Sequence, residues 1–148
     1  MVSEQENKQI VRRYWEAYNT GDSGVFREII GRDLTLHSQG NTTPVCSGPD
    51  FFARDLETYR TAIPDVHVVI EDLLADGEKV VVRLSTSGTH LGELSTPWGT
   101  FAPTGKRLTW TEIDVHRLAG GKIVEQWFEI DWASLLVQLG VVPAPAGS

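Results

Sequence analysis

Between residues 4 and 20 the apolar positions Ile10, Val11, Tyr14, Trp15 and Tyr18 fall on one stripe, at the spacing of an amphipathic helix. Ser3 followed by Glu6 supplies a capping box at its start, and Asn19-Thr20-Gly21-Asp22 ends it. Val25, Phe26, Ile29 and Ile30 mark a second, short helix stopped by Gly31, with Asp22 or Ser23 as its cap. Residues 33–37 (Asp-Leu-Thr-Leu-His) read as a short strand, and residues 38–49 as a loop dense in Gly, Pro, Ser, Thr and Asn. A third helix opens at Gly48-Pro49-Asp50, carries the stripe Phe51, Phe52, Leu56, Tyr59 and Ile63, and ends at Pro64-Asp65.

From Val66 the period changes. Residues 67–74 are strand-like, Asp76-Gly77 is a hairpin turn signal, and the β-branched run over 80–89 predicts a central strand. Residues 91–105 hold Gly, Pro and Trp98 without periodicity, which predicts a long loop over one mouth of the fold. Two long strands follow from Lys106, joined at Gly120-Gly121, and a last helix over 133–139 is closed by Gly140. The order is helix, helix, short strand, helix, then strands with hairpin links. This is an α+β fold: a curved antiparallel sheet wrapped around helices, enclosing a cone-shaped pocket for a small molecule.

Length and composition narrow the class. At 148 residues, 41% hydrophobic and 22% charged, residues 1–142 form one ordinary globular domain, and the Pro-Ala-Pro-Ala-Gly-Ser tail over 143–148 is expected to be disordered. A net charge of −7 with no basic stripe argues against nucleic acid, because phosphate binding needs clustered Lys and Arg. No apolar run reaches bilayer length and the N-terminal MVSEQENKQ lacks a secretory apolar core, so a cytoplasmic protein with no membrane partner is expected. The single Cys46 excludes an internal disulfide and a thiolate metal cage. No His-x-x-x-His or His-Glu-x-x-His spacing, Gly-rich phosphate motif or nucleophile elbow occurs.

Several segments carry a resemblance, in order along the chain: VRRYWEAYNTGD at 11–22, GPDFFARDL at 48–56, GTHLGE at 88–93, APTGKR at 102–107, and GGKIVEQW followed by Asp131 and Gln138-Leu139-Gly140. Together they resemble the SnoaL-like polyketide cyclases, within the nuclear-transport-factor-2-like fold. The resemblance implies a homodimer with one deep apolar pocket per subunit, a small hydrophobic polycyclic substrate, and no metal or cofactor. It also implies an acid/base enzyme, closing rings by intramolecular aldol chemistry or isomerising its substrate. The aspartate those cyclases use as proton shuttle falls on Asp131, and their pocket tyrosine on Tyr18. Two positions depart: Asp55 stands where they have an asparagine, and Arg117 where they have a histidine.

Each candidate has a structural alternative. Asp131 is the shuttle, with a pKa raised by enclosure, or the N-cap of the terminal helix, and the two roles are compatible. Arg117 shares strand parity with Ile113 and Val115, and either enters the pocket or pairs with Glu125 across the hairpin. Asp55 is either a pocket carboxylate or a solvated helix charge. Trp15, Tyr18, His37, Phe52, Ile113 and Trp127 are expected to line the substrate site, His116 to lie on the outer face, and His90 to serve its loop. An Asp131/Arg117/Asp55 set also has the residue types of cofactor-free epoxide hydrolases of this fold, which leaves a water-adding or hydroxylase-type enzyme open. A non-catalytic ligand-binding protein is the third reading.

Overall fold

The computed structural model describes residues 2–38 and 43–147; residues 39–42, within the expected loop, and Ser148, the last of the tail, lie outside the described residues. The elements run α1 (Glu4–Thr20), α2 (Val25–Ile29), β1 (Ile30–His37), β2 (Val45–Ser47), α3 (Pro49–Ala62), β3 (His67–Asp76), β4 (Lys79–Thr89), β5 (Leu94–Thr96), β6 (Gly99–Phe101), β7 (Arg107–Ala119), β8 (Lys122–Ile130) and α4 (Trp132–Gln138). The α+β class stands. Six strands form one sheet in the order β2-β1-β8-β7-β4-β3, and β5 and β6 form a separate hairpin. Every pairing in the large sheet is antiparallel except β1 with β8, which is parallel. Strands β1 and β8 are far apart in the chain, so no hairpin joins them and the connection is long enough to allow parallel pairing.

Local chemistry sets the element ends. Ser3 accepts the Glu6 N–H at 3.1 Å, and Gly21 (φ 79°) closes α1 by donating to the Ala17 carbonyl. Ala119 pairs with Lys122 around Gly120 and Gly121, whose φ of 58° and 77° suit a two-residue turn that twists with its strands. Two segments expected as loops contain short strands: β2 within 38–49, and the β5–β6 hairpin within 91–105. Three-residue strands are too short to show a period. The second helix ends at Ile29, and Gly31 lies inside β1 rather than stopping a helix.

Helices α1 and α3 cover the inner face of the sheet. Val11, Tyr14, Trp15 and Tyr18 from α1 and Phe52 and Leu56 from α3 join Val80, Val82, Leu84, Leu118 and Ile123 in the main core cluster. A second cluster of Ala62, Ile63, Leu94, Leu108, Trp110 and Leu135 anchors α4 and the small hairpin. Residues 143–147 carry neither helix nor strand and are exposed. No helix among the described residues is long and apolar enough to cross a membrane.

Strand β7 decides the site. Leu108, Trp110, Glu112, Asp114, His116 and Leu118 alternate inward and are buried, so Ile113, Val115 and Arg117 belong to the other face. Ile113 is 52% exposed. The expectations that Ile113 lines the pocket and that His116 lies outside are therefore both reversed. On β8 the register shifts beside Leu118, after which Gln126 is buried and Trp127 points outward.

Candidate active site

A cavity of about 250 Å³ opens between α1, α3 and the inner face of the sheet. Trp15 and Tyr18 come from α1, Phe52, Asp55 and Tyr59 from α3, and Glu112, Phe128 and Ile130 from the sheet. Trp15 stacks on Tyr18 at 5.3 Å between ring centroids, and Tyr18 meets Tyr59 edge to face at 5.8 Å. These contacts make a stiff aromatic wall. Trp132 closes one side and packs against Trp98 of the β5–β6 hairpin at 5.9 Å, so the segment expected to cover the mouth does reach its rim.

Among the described residues the cavity carries carboxyl groups and no cation. Its described lining contains two carboxyl groups, Glu112 and Asp55, and no Lys, Arg or His. Glu112 is 6% exposed and accepts the Trp110 indole N–H at 3.1 Å. Behind it Asp114 is fully buried and accepts the Glu129 backbone N–H at 3.0 Å through Oδ1, while Oδ2 has no partner. Removal from water raises the pKa of Glu112 and, further, that of Asp114, which is also pushed up by the Glu112 carboxyl. Solvent reaches Asp55 through the opening, yet the surrounding protein is dense enough that desolvation raises its pKa too.

Beneath the aromatic wall lies a neutral network. The Trp15 indole N–H donates to His116 Nε2 at 3.1 Å, and the Gln126 amide meets His116 Nδ1 at 2.7 Å. A neutral imidazole has one acceptor nitrogen, which Trp15 occupies, so Nδ1 carries the hydrogen; the Gln126 amide, placed with Nε2 toward Nδ1 and Oε1 unpartnered, satisfies that N–H once its nitrogen and oxygen are exchanged. Burial lowers the His116 pKa from 6.5 to about 3, which keeps the ring uncharged at neutral pH.

Of the sequence candidates, Trp15, Tyr18, Phe52 and Asp55 meet in this cavity and the others do not. Asp131 is exposed and caps α4: its Oδ1 accepts the Ser134 N–H at 3.1 Å. It borders a depression on the outer face, beside Ser85, Thr109 and Thr111, and is not enclosed. Arg117 donates to Glu125 Oε1 at 2.8 Å on the outer face, the alternative named for it. His37 also lies outside, 2.8 Å from Glu125 Oε2 and stacked on Trp127 at 4.8 Å. The Asp131/Arg117/Asp55 set is not assembled. His90 serves its loop, with Nδ1 3.0 Å from the Thr104 hydroxyl.

Glu112 and Asp114 were the residues that sequence reasoning missed. A signal existed: Leu108, Trp110 and Leu118 share their parity and are the bulkier apolar set on the strand, whereas Ile113 and Val115 mark the opposite face more weakly.

Comparison with known proteins agrees with this architecture. The family model described as SnoaL-like polyketide cyclase matches residues 8–139. The aklanonic acid methyl ester cyclase DnrD of Streptomyces peucetius is 29% identical over 140 residues, covering 93% of this chain and 94% of DnrD. The aklanonic acid methyl ester cyclase DauD of Streptomyces sp. strain C5 is likewise 29% identical over 140 residues, covering 93% of this chain and 84% of DauD. Among solved structures, AclR of Streptomyces galilaeus, a hydroxylase candidate, superimposes with a TM-score of 0.82 at 28% identity, over 98% of this chain and 87% of that one. The aromatic-walled cavity, the helix-covered sheet and the match across nearly the whole length agree: the chain belongs to the SnoaL-like polyketide cyclase family.

Proposed function

We propose that this protein catalyses an intramolecular aldol-type cyclisation of a polyketide-like substrate, with Glu112 as the group that takes and returns the proton. The observation carrying this reading is a buried carboxyl at the wall of an aromatic cavity whose described lining has no cation to hold it ionised. A carboxylate kept poorly solvated there is a stronger base than in water, and its conjugate acid is a usable donor near neutral pH. In the first step Glu112 removes a proton from a carbon flanked by carbonyls. The enolate attacks a second carbonyl held against it by the Trp15, Tyr18 and Tyr59 rings, forming the new carbon–carbon bond. The alkoxide produced takes a proton back, from Glu112 or from Asp55. Orientation in a rigid pocket supplies much of the rate, because the two reacting carbons belong to one molecule.

The test starts from aklanonic acid methyl ester, the substrate in the names of DnrD and DauD, and extends to related polyketide esters. Cyclisation leaves product mass unchanged, whereas a water-adding or hydroxylating reaction raises it. In Glu112→Gln, kcat should fall by roughly 10²- to 10⁴-fold, the usual worth of a general base. Asp131→Asn should stay within a few-fold of the native rate. The opposite ranking would return the shuttle role to Asp131, and tight binding of the panel without turnover would favour a ligand-binding protein.

We also place the second subunit of a homodimer on the outer sheet face. Val69 and Ile113 are exposed on that face, which also carries the Arg117–Glu125–His37 cluster.

A further inference from the structure

Strand β7 points two carboxyl groups inward at positions two apart, and their surroundings treat them unequally. Glu112 receives one N–H, from Trp110, and reaches the cavity. Asp114 lies one step deeper and receives one N–H, from the Glu129 backbone, on Oδ1 alone. Among the described residues its Oδ2 is enclosed with no donor, and the buried Glu112 carboxyl is its neighbour on the same strand face, near enough for the two charges to act on one another. Two ionised carboxylates cannot share that contact, since neither offers a hydrogen. The groups facing the pair offer no compensation: Asp55 and Tyr59 from α3, Tyr14 from α1, neutral His116 on the same strand, and Glu129 on β8. None of these is a cation at neutral pH. A buried acceptor left without a donor costs about 1–3 kcal/mol, and more when charged.

We infer that Asp114 stays protonated in the folded protein at neutral pH and donates from Oδ2 to the Glu112 carboxylate, acting as a positioning residue for that base. One proton on Asp114 removes the like-charge contact and satisfies the orphan oxygen. It also gives Glu112 two donors, Asp114 and Trp110, that pin the carboxylate in one orientation. The functional half of this statement rests on Glu112 being the cavity base, but the proton on Asp114 does not, and it is observable in the ligand-free protein.

The experiment is a ¹³C NMR titration of side-chain carboxyls in protein labelled at Asp and Glu, without substrate. The expected result is one aspartate resonance at the protonated position at pH 7, absent in Asp114→Asn and titrating only above neutral pH. In Glu112→Gln the like charge is gone, so the Asp114 resonance should titrate at lower pH; this variant keeps the test open if Asp114→Asn fails to fold. Ionised carboxyls throughout at pH 7, or a protonated Glu112 beside an ionised Asp114, would overturn the inference. Turnover tests the positioning role separately. Asp114→Asn keeps a donor and should retain activity within about tenfold, whereas Asp114→Ala removes it and should lose more, with a shifted pH–rate profile. Equal losses in both, with unshifted profiles, would refute positioning. A protonated Asp114 in a protein that turns over none of the substrates would sink the proposed reaction and leave the proton assignment standing.

Discussion

His116 and the Glu112–Asp114 pair are two or four residues apart on one strand, and burial pushes their titrations in opposite directions. A histidine held near pKa 3 contributes stability that is present above its ordinary pKa of 6.5 and lost as pH falls below it. Carboxyls with raised pKa behave inversely: their stabilising effect is complete below the ordinary carboxylate range and is lost as pH rises through the folded value. Comparing native protein with His116→Gln at each pH cancels the carboxyl contribution. The stability gap between them, from urea unfolding, should shift against the native protein by about 2 kcal/mol between pH 7 and pH 5. A constant gap would mean that His116 is not held neutral by burial. Individual residues of the aromatic wall were readable from helix periodicity, because Trp15, Tyr18 and Phe52 sit on stripes that must face a core. Glu112 and Asp114 were not, because a carboxyl on a strand reads as exposed until its face is known.

Among the elements, helices and long strands announced themselves and short strands did not. The contact between the end of α3 and β4 shows what the pattern cannot express. A Cβ on Gly88 would lie 2.1 Å from Ile63 Cγ2 and 3.2 Å from the Val66 Cα, so the strand passes the helix end at a distance only glycine allows. Beside it, Asp65 accepts the Thr89 backbone N–H at 2.6 Å and its hydroxyl at 2.7 Å, tying the same crossing together. Gly88→Ala should therefore destabilise by about 1–3 kcal/mol through overpacking, seen as a lower urea midpoint with unchanged slope. An unaffected midpoint would show that Ile63 can move aside. In the chain, this glycine reads only as one more interruption of a β-branched strand.

On the scale of the molecule, the sheet has a helix-covered face and an open face, and both carry polar residues on β7 and β8. If the open face seats a second subunit, Ile113→Asp should shift the protein from dimer to monomer in light scattering while leaving its circular dichroism unchanged. A monomeric native protein would dismiss that arrangement. The sequence by itself determined the family, the α+β class, the helix stripes and the hairpin turns, since all of these are local patterns or ordered motifs. Asp131 shows the limit: the residue was found, its capping role was foreseen as one of two options, and only the folded chain showed which side of the sheet it faces. Alternation along a strand sorts residues into two sets with no indication of which set is inside. That choice belongs to packing against α1 and α3, and it moved the candidate chemistry from Asp131 and Arg117 to Glu112 and Asp114.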